Sequence, residues 1–340
     1  MEVYSMRVRL FFCVGITILL VSGCTQVTKG QYLIKGQYHV VKQTVAGQHY
    51  LDNKKYQKGI EVFREEVRAY PENGEAHYYL GRFLLAEKKG KEALNQLKQA
   101  VELSPKKADY HFWLGVAYAA NNMGDLERES YLKALEIDKK HVQALTYLGH
   151  NQLERKQYKE ALQSYNKALK LWPGNPAALY NRAYIMKQLG RTPEEKLAWQ
   201  EYLAYYPSGA MARRAVLHLN ALGDFEYRNY IIGRRTVTLK TIVFEPFTAK
   251  IGEDSRPSLD LLGIIMKNNS TVSIHIVTYQ KKHKELAEAR AKSIKTYLLK
   301  EFKEIKSSRL TVSWFDVPEK IKIDKKTFYN DESVNFITAH

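Results

Sequence analysis

A ruler with a 34-residue spacing runs through the first two thirds of this chain. Gly47, Gly81, Gly115 and Gly149 fall on successive marks, and Ala183 takes the next one. Pro71, Pro105, Pro173 and Pro207 share the spacing, with Lys139 on the missing mark. Small residues recur at Ala93 and Ala161, and at Ala100, Ala134 and Ala168. Bulky ones recur at Phe63, Leu97, Tyr131, Tyr165 and Trp199. A period of this length restricts the chain to stacked copies of one small unit, each too small to bury its own core. A small residue on the first helix lets the second approach closely, a bulky residue on the second fills the gap, and proline closes the unit.

The agreement of several columns in one register resembles the tetratricopeptide-repeat family, which implies two antiparallel helices per unit. The register gives five units: 40–73, 74–107, 108–141, 142–175 and 176–209. The first and last are irregular, with Gly59, Glu66, Glu195 and Tyr202 where Ala is usual. Residues 210–233 read as a capping helix, from Ala210 to Leu222, and a tyrosine-rich linker.

At the start, Arg7 and Arg9 precede an apolar run from Leu10 to Val21, too short to span a bilayer comfortably. It ends in Val21-Ser22-Gly23-Cys24, which resembles the bacterial lipobox. That resemblance implies a signal peptide over 1–23, cleavage before Cys24, and lipidation of the Cys24 thiol. Cys13 would leave with the signal, so the mature chain could form no intrachain disulfide. Thr25, where Asp would retain a lipoprotein at the inner membrane, favours the periplasmic face of the outer membrane in a diderm host. Residues 24–39 then act as a tether.

The family resemblance also implies a superhelix whose first helices line a groove for a protein or peptide. Register places Tyr78, Phe112, Thr146 and Tyr180 in one groove column. Tyr79, Trp113, Tyr147 and Asn181 form a second, and Arg82, Val116, His150 and Tyr184 a third. Rings with a polar tip suit such a groove. The candidate contacts are Tyr78, Arg82, Phe112, His150, Tyr180, Asn181 and Tyr184, whereas Tyr79, Trp113 and Tyr147 are expected to pack inside. His77 and His111 stand at equivalent marks and are expected to pack within their units rather than bind metal.

After residue 233 the helical period stops. Thr236–Phe244 reads as a strand, a helix starts near Pro257, and Val272, Ile274 and Ile276 alternate as a second strand. Lys284–Phe302 is a long helix, Leu310, Val312 and Trp314 a third strand, and Val334–Thr338 a last one. The expected fold is therefore an α-solenoid of five helix pairs followed by a smaller α/β (βαβαββ) domain over 234–340. Ile242-Val243-Phe244 and Leu286-Ala287-Glu288-Ala289-Arg290-Ala291 resemble the OmpA-like peptidoglycan-binding domain. In that family an Asp and a helix Arg grip the amine and carboxylate of diaminopimelate. Arg290 matches the Arg and would make the peptidoglycan contact, but Gln280 stands where the Asp is needed and cannot supply an anion. Arg290 could equally be a solvated helix residue.

The formal net charge of +17 suggests an anionic neighbour. The lysines are interspersed with glutamates and no nucleic-acid motif appears, which argues against nucleic acid. No nucleophile–base spacing, metal-ligand spacing or phosphate loop is present, so neither an enzyme nor a cofactor is expected. The reading is a lipid-anchored scaffold for secretion, pilus or motility assembly, with a wall-anchoring structural protein as the alternative.

Overall fold

A computed structural model describes residues 43–339. Cys24, the signal segment and the 24–39 tether lie outside these residues. The described chain divides after Pro105 into two compact units. Among the described residues no helix is long and apolar enough to cross a membrane.

The first unit holds two antiparallel pairs. A helix over residues 43–52 (α1) is followed by α2 (Tyr56–Ala69), α3 (Gly74–Ala86) and α4 (Gly90–Leu103). The second unit continues with α5 (Ala108–Ala120), α6 (Gly124–Ile137), α7 (Val142–Glu154), α8 (Tyr158–Leu171), α9 (Pro176–Gln188) and α10 (Thr192–Tyr205). The ruler glycines do what the pattern requires. A Cβ at Gly115 would sit 2.4 Å from the Tyr131 ring, and one at Gly149 2.7 Å from Tyr165. Only hydrogen lets those helices touch.

Two further columns keep the same spacing. The residue that ends each first helix is left-handed: Lys54, Lys88, Asn122, Lys156 and Gly190 have φ of 54°, 59°, 59°, 57° and 66°. The amide one residue on reaches back to a carbonyl five positions earlier, as in Lys89 N–H to Leu84 (2.8 Å) and Gln157 N–H to Gln152 (2.8 Å). This is the Schellman arrangement, which satisfies carbonyls at a helix end. The second column caps the following unit. Asn73 accepts from Glu75 and Ala76 at the start of α3, His141 Nδ1 from Ala144 at α7, and Asn175 from Ala178 at α9.

Two members of the small column, Glu127 and Glu195, are not small, and both are buried. Glu127, midway between Ala93 and Ala161, is buried on α6, where Asn151 Nδ2 donates to its carboxylate at 2.9 Å. Burial holds its carboxyl above the usual glutamate range, although the Asn151 bond pulls the other way.

Helix α11 (Ala210–Ala221) closes the second unit's repeats, burying Ala212, Ala215, Val216 and Leu219 in the same core as Trp199 and Leu203. The segment expected as a linker is instead β1 (Tyr227–Ile232), hairpinned to β2 (Arg235–Lys240) through Gly233, whose φ is +61°. It is sewn to the repeats. Asp224 accepts from Gln200 (2.7 Å) and pairs with Lys196 (3.1 Å), and Asn229 donates to the Arg213 carbonyl (2.9 Å).

The remaining elements are α12 (Arg256–Asn268), β3 (Ser273–Gln280), α13 (Lys284–Glu301), β4 (Leu310–Phe315), β5 (Glu319–Ile323), β6 (Lys326–Asn330) and β7 (Glu332–Ala339). Strand β3 is central, parallel to β4 and antiparallel to β7. Leu259, Leu262, Met266, Ile294 and Leu298 from the two helices share a core with Ile274, Ile276 and Leu310. Two expectations change. The first strand stops at Lys240 and pairs with β1 rather than with β3, leaving Phe244 in an isolated bridge to Ile251. A second hairpin, β5–β6, turns at Asp324 with φ +49° and interrupts the expected order.

The β1, β5 and β7 strands meet at a buried ion pair. Arg228 donates twice to the Glu319 carboxylate, both bonds at 2.8 Å, and once to Asn335 at 2.9 Å. Asn335 closes the ring by donating to Glu319 at 2.6 Å, and the guanidinium lies 5.1 Å from the centre of the Phe225 ring. Burial pushes the Glu319 carboxyl up, but the bonds and charge of Arg228 outweigh it and hold it below the usual range.

Candidate functional site

In the first unit, Tyr78 lies buried, edge-on to Tyr79 at 5.0 Å. Arg82 Nη1 donates to the Tyr78 hydroxyl at 3.0 Å, and its guanidinium lies 5.2 Å from the centre of that ring. Tyr78 and Arg82 therefore form one clamp, and the phenol is the inner member. His77 is bonded to Gln96 of its own repeat (2.7 Å) and to the Pro71 carbonyl of the preceding one (2.9 Å).

In the second unit the structure sorts the candidate rings differently from the register. Phe112 is buried among Trp113, Tyr131, His141 and Tyr147, with centroids 5.1–5.8 Å away. Tyr147, expected inside, is 40% exposed, and Tyr184 is 38% exposed. The two columns are adjacent on each helix, and the ring that tilts inward depends on the neighbouring second helix, which no spacing encodes. Tyr180 is half-buried, edge-on to Trp199 (4.9 Å) and Tyr202 (5.4 Å).

The surface left on the first helices thus consists of Trp113, Tyr147, His150, Asn181 and Tyr184. His150 sits between Tyr147 (5.4 Å) and Tyr165 (5.7 Å), and burial lowers its pKa, keeping the imidazole neutral at pH 7. Asn181 donates to the Tyr165 hydroxyl at 3.1 Å. The result is a ridge of rigid rings with hydrogen-bonding edges and no charge of its own. Such a surface recognises apolar and aromatic side chains with a few polar fixes.

In the α/β part, Arg290 is not solvated. It is 3% exposed on its side chain, with Nε on the Thr248 carbonyl (2.9 Å) and Nη1 on both Gln280 and Glu332, the latter at 2.8 Å. The guanidinium lies 4.6 Å from the centre of the Phe244 ring. Sequence reasoning looked for an anion at Gln280 and missed Glu332, which β7 delivers directly opposite Gln280 in register. An open cavity of about 530 Å³ adjoins this group, walled by Pro246, Phe247, Lys282, His283 and Leu286. Phe247 is 89% exposed and left-handed at φ +57°, an unusual conformation for a bulky residue. Among the described residues, no group of three or more His, Cys, Asp or Glu side chains could hold a metal ion.

Comparison with known proteins agrees with the ruler. A family model for tetratricopeptide repeats matches residues 44–97, and a TPR-repeat model matches 81–122 and 149–190. These parts of the chain are tetratricopeptide repeats, a class that binds protein or peptide partners. Among solved structures, MamA is 19% identical over 47% of this chain and 93% of its own, at a TM-score of 0.44. YrrB, described as a TPR protein with an unusual peptide-binding site, is 14% identical over 55% of this chain and 96% of its own, also at 0.44. PilF of Pseudomonas aeruginosa is 25% identical over 44% of this chain and 67% of its own, at 0.40. No curated protein matches significantly.

Proposed function

We propose that this chain is a lipid-anchored scaffold of the bacterial envelope, whose repeats hold a protein partner of a secretion, pilus or motility assembly. The observation that carries the binding role is the partial exposure of Tyr147, packed on a neutral His150, and of Tyr184 on the next repeat, in repeats of an interaction family. The Val21–Cys24 lipobox supports the anchor, and Thr25 supports outer-membrane residence facing the periplasm. A wall-anchoring role is the second reading, favoured by the buried Arg290 beside an open cavity. It ranks second because Glu332 and Gln280 already occupy the guanidinium.

The test is crosslinked capture from intact cells. Tyr147→Ala with Tyr184→Ala is expected to weaken capture by about 2 kcal/mol or more, as truncated anchors commonly do. Helicity and melting temperature should stay close to those of the parent, since both rings are partly in solvent. A large loss of helicity, or undiminished capture, refutes the assignment. In the same cells Cys24→Ala should abolish incorporation of labelled palmitate.

A further inference from the structure

The turns that join one helix pair to the next fall at one end of the second unit's repeats, and they are not ordinary solvated loops. The turn after α8 carries Trp172, 50% exposed, and the last turn of α10 carries Tyr205, 49% exposed. The two rings are neighbours. A Cβ on Gly174 would lie 3.3 Å from the Tyr205 ring and 3.5 Å from Trp172 Nε1. The underlying turn is fixed, because the Tyr206 hydroxyl donates to the Gly174 carbonyl and Tyr206 packs on Tyr202 at 5.5 Å. Leu171 adds further exposed apolar surface beside Trp172.

The charge around this patch is predominantly positive. From Ala161 to Pro193 the sequence contains no Asp or Glu, yet it carries Lys167, Lys170, Arg182, Lys187 and Arg191. From Tyr202 to Gly223 it again contains none, and carries Arg213 and Arg214. Lys167 and Lys170 point outward on α8, and Lys139 and Lys140 are exposed in the preceding inter-pair turn. Glu201, one helical turn before Tyr205, is held by Arg182. Asp138 is exposed beside Lys139 and Glu194 pairs with Arg191, so the positive excess rests on Lys167 and Lys170.

We propose that this edge docks peripherally on an anionic lipid surface, with Trp172 and Tyr205 at the headgroup level and Lys167 and Lys170 over the lipid charge. Indole and phenol rings prefer the membrane–water interface, and lysines beside them gain from anionic headgroups. An acidic protein would match the charge alone. A bilayer interface also matches the half-exposed indole and phenol beside the lysines, because both rings favour the headgroup level. The contact would be made by an anchored chain, and so rests on the tethering proposed above.

The experiment uses acylated full chain purified from cells. It is reconstituted on phosphatidylcholine vesicles with or without phosphatidylglycerol, with a fraction of the lipid brominated on its acyl chains. Bromolipid is expected to quench tryptophan emission on the anionic vesicles, and Trp172→Phe should remove most of that quenching. Lys167→Glu with Lys170→Glu should reduce it about tenfold at unchanged far-ultraviolet circular dichroism, and 0.5 M salt should do likewise because screening shortens to a few ångströms. Equal quenching on purely zwitterionic vesicles overturns the proposal, as does quenching that survives Trp172→Phe. Trp172-dependent self-association without vesicles also overturns it, by assigning the patch to a second copy. A chain that floats with vesicles while Trp172 stays unquenched refutes this edge and leaves the anchor standing. A chain that does not float refutes both.

Discussion

Removing one member of the Arg228–Glu319 pair tests how β1 is locked to the α/β part. Glu319→Ala leaves a guanidinium buried, with two bonds to carboxylate oxygens lost and only neutral partners such as Asn335 remaining. Breaking a buried pair from one side costs about 3–5 kcal/mol, because the surviving charge stays desolvated. For a cooperative unit of this size that corresponds to a fall in melting temperature of about 6–20 °C. Replacing both partners, as Arg228→Met with Glu319→Leu, removes the charge and its penalty together and should cost far less. The assay is urea unfolding of the full chain at pH 7.5, with hydrogen exchange at β1 and β7 locating the loss. The depressed Glu319 pKa also fixes a pH dependence. The unfolded carboxyl, near 4.3, binds protons before the folded one. The stabilisation is therefore fully present above that value and is lost as pH falls through the folded one. If Glu319→Ala costs less than about 1 kcal/mol, or the double replacement costs as much as the single one, the pair does not lock the strands.

Glu127 carries the opposite sign. Its raised folded pKa means that the folded state binds the proton more tightly, so this group adds stability as pH drops from neutral toward the unfolded value. Glu127→Gln keeps an acceptor for Asn151 and should raise stability at pH 7 by about 1 kcal/mol, while flattening the acid-side gain, in thermal melts from pH 7 to 5. At the left-handed turn marks, Lys156→Gly should stabilise by up to about 1 kcal/mol, and Gly190→Ala should destabilise by a similar amount, read from urea midpoints.

The helix pairs were legible because each mark on the ruler answers to a contact: Gly115 to Tyr131, Gly149 to Tyr165. The left-handed turns were hidden in plain spacing, since four of the five hold Lys or Asn rather than the glycine that would have announced them. Strand β1 and the β5–β6 hairpin were missed for another reason. Their runs are five or six residues long and rich in Lys, Arg and Tyr, so alternation gives little contrast between faces. The partner of Arg290 was beyond any linear pattern. Glu332 comes from a strand 42 positions further along and reaches the site only because β7 pairs antiparallel to β3. The interaction surface was half legible. Register gave the right helices, but whether Phe112 or Tyr147 turned outward was decided by packing against α6.

Arrays of this kind grow and shrink over evolutionary time by copying or deleting whole units, provided the terminal face can accept another copy. In this chain that face is spoken for. Helix α11 is covered by β1, and Asp224 and Asn229 bind the repeats to the first hairpin. A unit duplicated after residue 209 would have to break those bonds before it could stack. The downstream end of the array is therefore fixed in length, and any lineage that lengthens or shortens these repeats must do so upstream of α11.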